Sequence, residues 1–199
     1  MKTLSLLAVL VFAVGHAASL AAEETKADAP KAEARARLEK ALKAEPDNVS
    51  ALVELGYLEF QAKHFDEAEK LLTRATRLKP ESATAWLALG VATCEAGKLD
   101  AALAALSQAV LLEPRNAKAH SYLGVTVGRK GWMDGAEAEL QRALELDENL
   151  AEAHFNLAVV YLQQNPPLLE LARRHYQRAR DLGSAPDSLV EKQLNRSKE

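Results

Sequence analysis

Residues 83–116 read ATAWLALGVATCEAGKLDAALAALSQAVLLEPRN, and the pattern returns every 34 positions on either side. Gly56, Gly90, Gly124 and Ala158 share one phase, each preceded by a leucine: Leu55, Leu89, Leu123 and Leu157. A fixed period of this length with a small residue at one phase marks a stacked helical repeat. Glycine inside an apolar helical pattern costs about 1 kcal/mol relative to alanine. A cost repeated at a fixed phase implies a repeated need, the close approach of a neighbouring helix. Ala68, Ala102 and Ala136 are the expected facing surface on the second helix of each pair. Asp66, Asp100, Asp134 and Glu170 recur where those second helices should begin, beside the positive helix end. Pro80 and Pro114 stop them.

Working outward from this block, the spacing predicts helices over 32–44, 50–62, 66–78, 84–96, 100–112, 118–130, 134–146, 152–164, 168–181 and 187–194. Ala34, Leu38, Ala41 and Pro46 match the second-helix phase one period upstream, so the stack opens with an unpaired half repeat. The fourth repeat carries two extra residues in its turn, within Gln164-Asn165-Pro166-Pro167. Exposed faces offer charge pairs at favourable spacing, Glu39–Lys43, Asp66–Lys70 and Glu170–Arg174.

The recurring phases of residues 83–116 are Trp86, Leu89-Gly90, Thr93, Ala102, Leu106, Ala109 and Pro114. One period earlier they are Leu52, Leu55-Gly56, Glu59, Ala68, Leu72, Ala75 and Pro80. One period later they are His120, Leu123-Gly124, Val127, Ala136, Leu140 and Ala143, with Glu148 at the proline phase. The last repeat reads His154, Leu157-Ala158, Tyr161, Ala172, Tyr176 and Ala179. Over residues 32 to 183 this resembles the tetratricopeptide repeat family, as an exported bacterial member. The resemblance implies an all-α fold, a right-handed helix-turn-helix repeat solenoid whose first helices line a concave face. The expected segments are 1–22 as a signal peptide, 23–31 as a tether and 32–48 as the half repeat. The four full repeats follow at 49–82, 83–116, 117–150 and 151–185, with a cap helix and tail at 186–199.

The leading segment has its own logic. Lys2 is the sole charge before Glu23, an apolar run extends from Leu4 to Val14, and small residues follow. That is the composition of a secretory signal, with cleavage after Ala17 or Ala21. Thr3 to Ala22 is also long enough to span a bilayer, but Gly15, His16 and Ser19 weaken its far end as an anchor. The expectation is a periplasmic or secreted protein, touching the membrane only if the signal stays uncleaved. Cys94 is the single cysteine, so there is no lipid-anchor cysteine and no internal disulfide.

Composition narrows the function. The chain is 48% hydrophobic and 27% charged, with a net charge of -3. Removing Lys2 with the signal leaves 24 cations (25 minus one) against 28 anions. Neither balance suits a nucleic-acid binder. The histidines His64, His120, His154 and His175 lack metal-ligand spacing, and no glycine-rich phosphate loop or nucleophile arrangement occurs. No catalytic, metal or cofactor residues are assigned, and neither an enzyme activity nor a small-molecule substrate is expected.

The family resemblance implies that residues flanking each Leu-Gly pair line the concave groove. On this chain these are Val53, Tyr57, Phe60, Leu87, Val91, Cys94, Ser121, Val125, Gly128, Phe155, Val159 and Leu162. The set is apolar and lacks the Lys, Asn and Arg with which some members clamp a carboxylate. Such a lining suits a protein or peptide partner held by apolar anchors, with Trp132 as a candidate rim contact, or else is covered by neighbouring side chains or the protein's own tether. Four helices roughly 9–10 Å apart would accommodate about ten extended residues. Four or five anchors at ~1.5–3 kcal/mol each, less the ordering cost, correspond to roughly micromolar affinity. The expected function is therefore a non-catalytic scaffold or adaptor of the cell envelope. The alternative is a structural subunit that associates through its solenoid edges, the opening helix presenting Leu38 and Leu42.

Overall fold

A computed structural model describes residues 24–195. The signal segment and both expected cleavage points lie outside this range, as do the last four residues of the tail. Ten helices and no strands are present among the described residues. They are α1 (Glu24–Ala44), α2 (Val49–Gln61), α3 (Phe65–Leu78), α4 (Ala83–Glu95), α5 (Leu99–Leu112), α6 (Ala117–Arg129), α7 (Met133–Leu146), α8 (Ala151–Gln163), α9 (Leu169–Asp181) and α10 (Ser188–Asn195).

From α2 onward each boundary falls within one residue of the sequence reading. The exception is α1, which begins at Glu24 and runs through Pro30 instead of leaving 23–31 as a tether. Alanine, glutamate and lysine dominate that stretch, and their helix propensity carries the helix back past the proline. Among the described residues no helix is long and apolar enough to cross a membrane.

The helices form two compact units that meet in sequence at Pro114 and Arg115. In the first, α2–α3 and α4–α5 are antiparallel hairpins, α3 packs on α4, and α1 packs on α2. In the second, α6–α7 and α8–α9 are the hairpins, α7 packs on α8, and α10 rests on α8 and α9. Each unit is an all-α stack of repeats, the architecture the period predicts.

The crossing glycines show why the period matters. A Cβ at Gly90 would lie 2.5 Å from Leu106 Cγ, and one at Gly56 would lie 2.7 Å from Leu72 Cγ. Gly124 meets Leu140 Cγ at 2.8 Å and the Ala136 carbonyl oxygen at 3.1 Å. The residue facing each glycine is thus the leucine four positions after the expected alanine. A branched side chain fills the notch left by the missing Cβ, and all three leucines are fully buried. In the fourth repeat Ala158 replaces glycine, and the inserted pair brings Tyr176 to the leucine phase.

Helix starts follow a second rule. The side chains of Asn48, Ser82 and Asn116 accept hydrogen bonds from the backbone N–H groups of Ala51, Ala85 and Ala119. Leu150 takes that place before α8, makes no such bond and is instead 8% exposed. A cap is worth about 1 kcal/mol and burying a leucine about 2–3 kcal/mol, so burial outweighs capping here.

The opening helix does not present a free apolar edge. Leu38 is 6% exposed and joins Ala51 and Leu55 in a cluster that also takes in Ala41, Leu42, Leu58 and Leu71. The stripe read as available for docking is covered by α2. The charge partners also differ from those expected: within their helices Glu39 meets Arg35 at i,i+4 and Lys70 meets Glu67 at i,i+3, and Asp66 meets Lys98 of the following repeat.

Candidate interaction surface

In the first unit the expected lining comes from α2 and α4. Tyr57 is 52% exposed, and its ring stacks on Phe60 with centroids 6.1 Å apart. Phe60 in turn tilts against Phe65 at 6.1 Å. Val53, Phe60, Leu87 and Val91 are half-buried. Val53 and Phe60 pack on a core of Ala68, Leu72, Leu89, Ala92 and Ala105, which ties the two hairpins together. Cys94 is fully buried. Tyr57 is thus an exposed ring beside the half-buried Phe60, which with Val53 rests on the core shared by the two hairpins.

The aligned residues of the second unit are placed differently. Ser121, Val125, Gly128, Phe155 and Val159 are buried, and Leu162 is half-buried. Phe155 meets Tyr176 of α9 at 6.3 Å, an aromatic contact that draws it into the hairpin rather than onto an open wall. Trp132, in the turn before α7, is 54% exposed, with Lys130 Nζ 5.1 Å from its ring centre.

Polar groups cluster at the turns. Glu59 is 2% exposed on α2, bound by Arg35 of α1 at 2.9 Å and by His64 Nδ1 at 2.8 Å. Thr93, Val127 and Tyr161 hold the same phase, so an acid there is the odd member of the series. Lys98 Nζ lies 2.6 Å from Glu69 and 2.9 Å from Asp66. Its hydrogen bonds to Glu69 and Asp66 raise the ammonium pKa, and Lys98 lowers that of Asp66. Lys63, His64, Phe65, Asp66, Glu67, Ala96 and Lys98 line a recess of about 360 Å³.

In the second unit the counterpart of Glu69 is Glu137. It accepts from the Tyr161 hydroxyl at 3.0 Å and from Gln164 Nε2 at 2.9 Å. Burial raises the Tyr161 pKa. The inserted turn leaves one bond unchanged. The backbone N–H of Leu168 donates to the Tyr161 carbonyl at 2.9 Å, as His64 does to Glu59 and Lys98 to Thr93. The extra residues are thus looped out ahead of α9.

His154 Nδ1 and His175 Nδ1 are 3.0 Å apart across the α8–α9 hairpin. Sequence spacing missed this pair, because the insertion shifts His175 off the 34-residue register. Among the described residues no group of three or more His, Cys, Asp or Glu side chains could hold a metal ion.

Comparison with known proteins agrees with this geometry. A family model described as tetratricopeptide repeat matches residues 32–92, and one described as TPR repeat matches 92–131 and 129–165. Among solved structures, MamA is 23% identical with a TM-score of 0.68, covering 83% of this chain and 96% of its own. TTC0263, a thermophilic TPR protein of Thermus thermophilus, is 26% identical with a TM-score of 0.66, covering 88% and 94%. YrrB, a TPR protein with an unusual peptide-binding site, is 22% identical with a TM-score of 0.65, covering 89% and 88%. A search of curated proteins found no match.

Proposed function

The chain belongs to the tetratricopeptide-repeat family, and from that premise we propose that it is an exported adaptor of the cell envelope. Tetratricopeptide stacks are, as a class, non-catalytic scaffolds for protein–protein interaction. The finer reading is that an apolar segment of a partner protein lies on the inner wall of the first unit. Val53, Tyr57, Phe60, Leu87 and Val91 supply the anchors.

The observation that carries this reading is Tyr57, a large ring half in solvent beside the half-buried Phe60. A partner side chain laid beside it would remove both from water without deforming the core, because Phe60 and Val53 already rest on it. YrrB, with its peptide-binding site, supports a peptide segment as the ligand class. Export rests on the basic start and the apolar run Leu4–Val14. A phosphatase fused after residue 31 should be active outside the cytoplasm; an inactive fusion would remove the envelope assignment.

Capture from envelope extracts tests the wall. Val91→Lys should abolish retention of partners while leaving the thermal unfolding midpoint nearly unchanged, because Val91 is only half-buried. Undiminished capture by Val91→Lys would remove the wall from the account.

A further inference from the structure

We propose that the His154–His175 contact is a proton-operated clasp, which holds the last hairpin closed near neutral pH and releases it in mild acid. This reading stands on the geometry of the pair and is independent of any partner on the first unit. His154 Nε2 lies 3.1 Å from the backbone carbonyl of Glu148. A carbonyl only accepts, so Nε2 carries the hydrogen and a neutral His154 presents a lone pair at Nδ1. His175 must then donate from its own Nδ1 across the 3.0 Å gap. One proton between the two Nδ1 atoms makes the bond. A second proton leaves two N–H groups pointing at each other, and the contact becomes repulsive.

The surroundings deepen that response. Burial is the main cause holding both rings below the ordinary histidine range, His175 to about 4. Arg174 and Arg178 of α9 add positive charge beside the pair. The Tyr161 ring packs on His175 with centroids 5.6 Å apart, and the carboxylates of the neighbouring helices bind partners other than the two histidines. On α7, Glu137 binds Tyr161 and Gln164, and Glu139 binds His120 of α6. On α10, Glu191 accepts the Tyr176 hydroxyl. Glu148 contributes only its backbone carbonyl to the pair.

The other repeats supply controls at the same two phases. The first repeat places Leu52 and Leu71 there, and the second Trp86 and Ala105. The third places His120 and Glu139, whose 2.7 Å contact stays attractive when the histidine gains a proton. The last repeat is thus the one whose aligned pair is broken by protons. Because α10 rests on α8 and α9, opening this hairpin also loosens the cap.

Hydrogen exchange followed by mass spectrometry on the full chain tests the clasp, with rates corrected for intrinsic pH dependence. Between pH 7 and pH 5, protection of α8 to α10 should fall on the order of ten-fold relative to α2–α5, allowing for partly solvated rings. The double variant His154→Leu/His175→Leu, which copies the first repeat, should lose this selective drop. His175→Glu, which copies the third, should lose it too and serves if the double variant folds poorly. Equal protection of wild type at both pH values would overturn the proposal, as would the same drop persisting in either variant.

Discussion

The second repeat in the first unit and the fourth in the second unit use one backbone plan with opposite chemistry. In α4–α5, Gly90 receives Leu106, Ser82 caps the first helix, and Trp86 donates to the Pro80 carbonyl at 2.7 Å. In α8–α9, Ala158 and Tyr176 replace the glycine–leucine pair, Leu150 replaces the cap, and His154 reaches the Glu148 carbonyl. The carbonyl at the proline phase is used both times, by different rings. What the repeat preserves is the place of each contact, and the residue types filling it set how the contact responds to its surroundings. Tyr176 illustrates this, since its hydroxyl accepts from the Asp187 backbone N–H at 2.8 Å and donates to Glu191 at 3.0 Å. A position that is pure packing in three repeats becomes in the fourth an anchor for α10.

The comparison breaks most readily at the crossing. Gly90→Ala should lower stability by about 2–3 kcal/mol in urea unfolding, because the clash with Leu106 exceeds the gain of about 1 kcal/mol in helix propensity. A stabilised Gly90→Ala would mean that the close approach is not required. Ala158→Gly should cost only about 1 kcal/mol, a propensity loss with no clash relieved.

Acid gives the next effect. Histidine in the unfolded chain titrates near 6.5, whereas His154 is held lower and His175 at about 4 when folded. The unfolded chain therefore binds more protons, and the pair's contribution is complete above about pH 6.5 and lost as pH falls toward 4. Partial solvation reduces the expected loss to about 1–2 kcal/mol, read from urea midpoints across that range. A midpoint that rises on acidification, once measured against the double leucine variant, would contradict the sign.

Leu150→Asn should lower stability by about 1 kcal/mol, since a new cap recovers only part of the lost burial. Smallest is Lys63, held at φ 62° where Gly97 and Gly131 stand in the following turns. Lys63→Gly should raise stability by about 0.5–1 kcal/mol, because a side chain strains that conformation.

Much of this plan was legible beforehand, because the period fixes phase and phase fixes helix boundaries. Orientation was less so. The alanines at Ala68 and Ala102 and the leucines at Leu72 and Leu106 recur equally well, and the period cannot say which one a glycine faces. Glu59 stood in the sequence as one large residue among others, but its buried link to Arg35 spans two helices and 24 positions. The residues flanking each Leu-Gly pair recur as a set of phases, while their exposure depends on the neighbours: Tyr57 stays in solvent, and Phe155 meets Tyr176. His175 was hidden by two inserted residues. The extension of α1 to Glu24 was not legible, because residues 23–31 offer little apolar surface to bury and read as a tether, whereas helix propensity carries the helix through Pro30.

The central proposal is that the first unit's inner wall receives another protein. A photo-crosslinking amino acid at Tyr57, compared with one at Leu111 on the second helix of the next hairpin, measures this directly in envelope preparations. The wall predicts a discrete adduct from position 57 that Val91→Lys removes, and none from position 111, although Leu111 is the more exposed. Matching adducts from both positions, or an adduct at 57 indifferent to Val91→Lys, would contradict it.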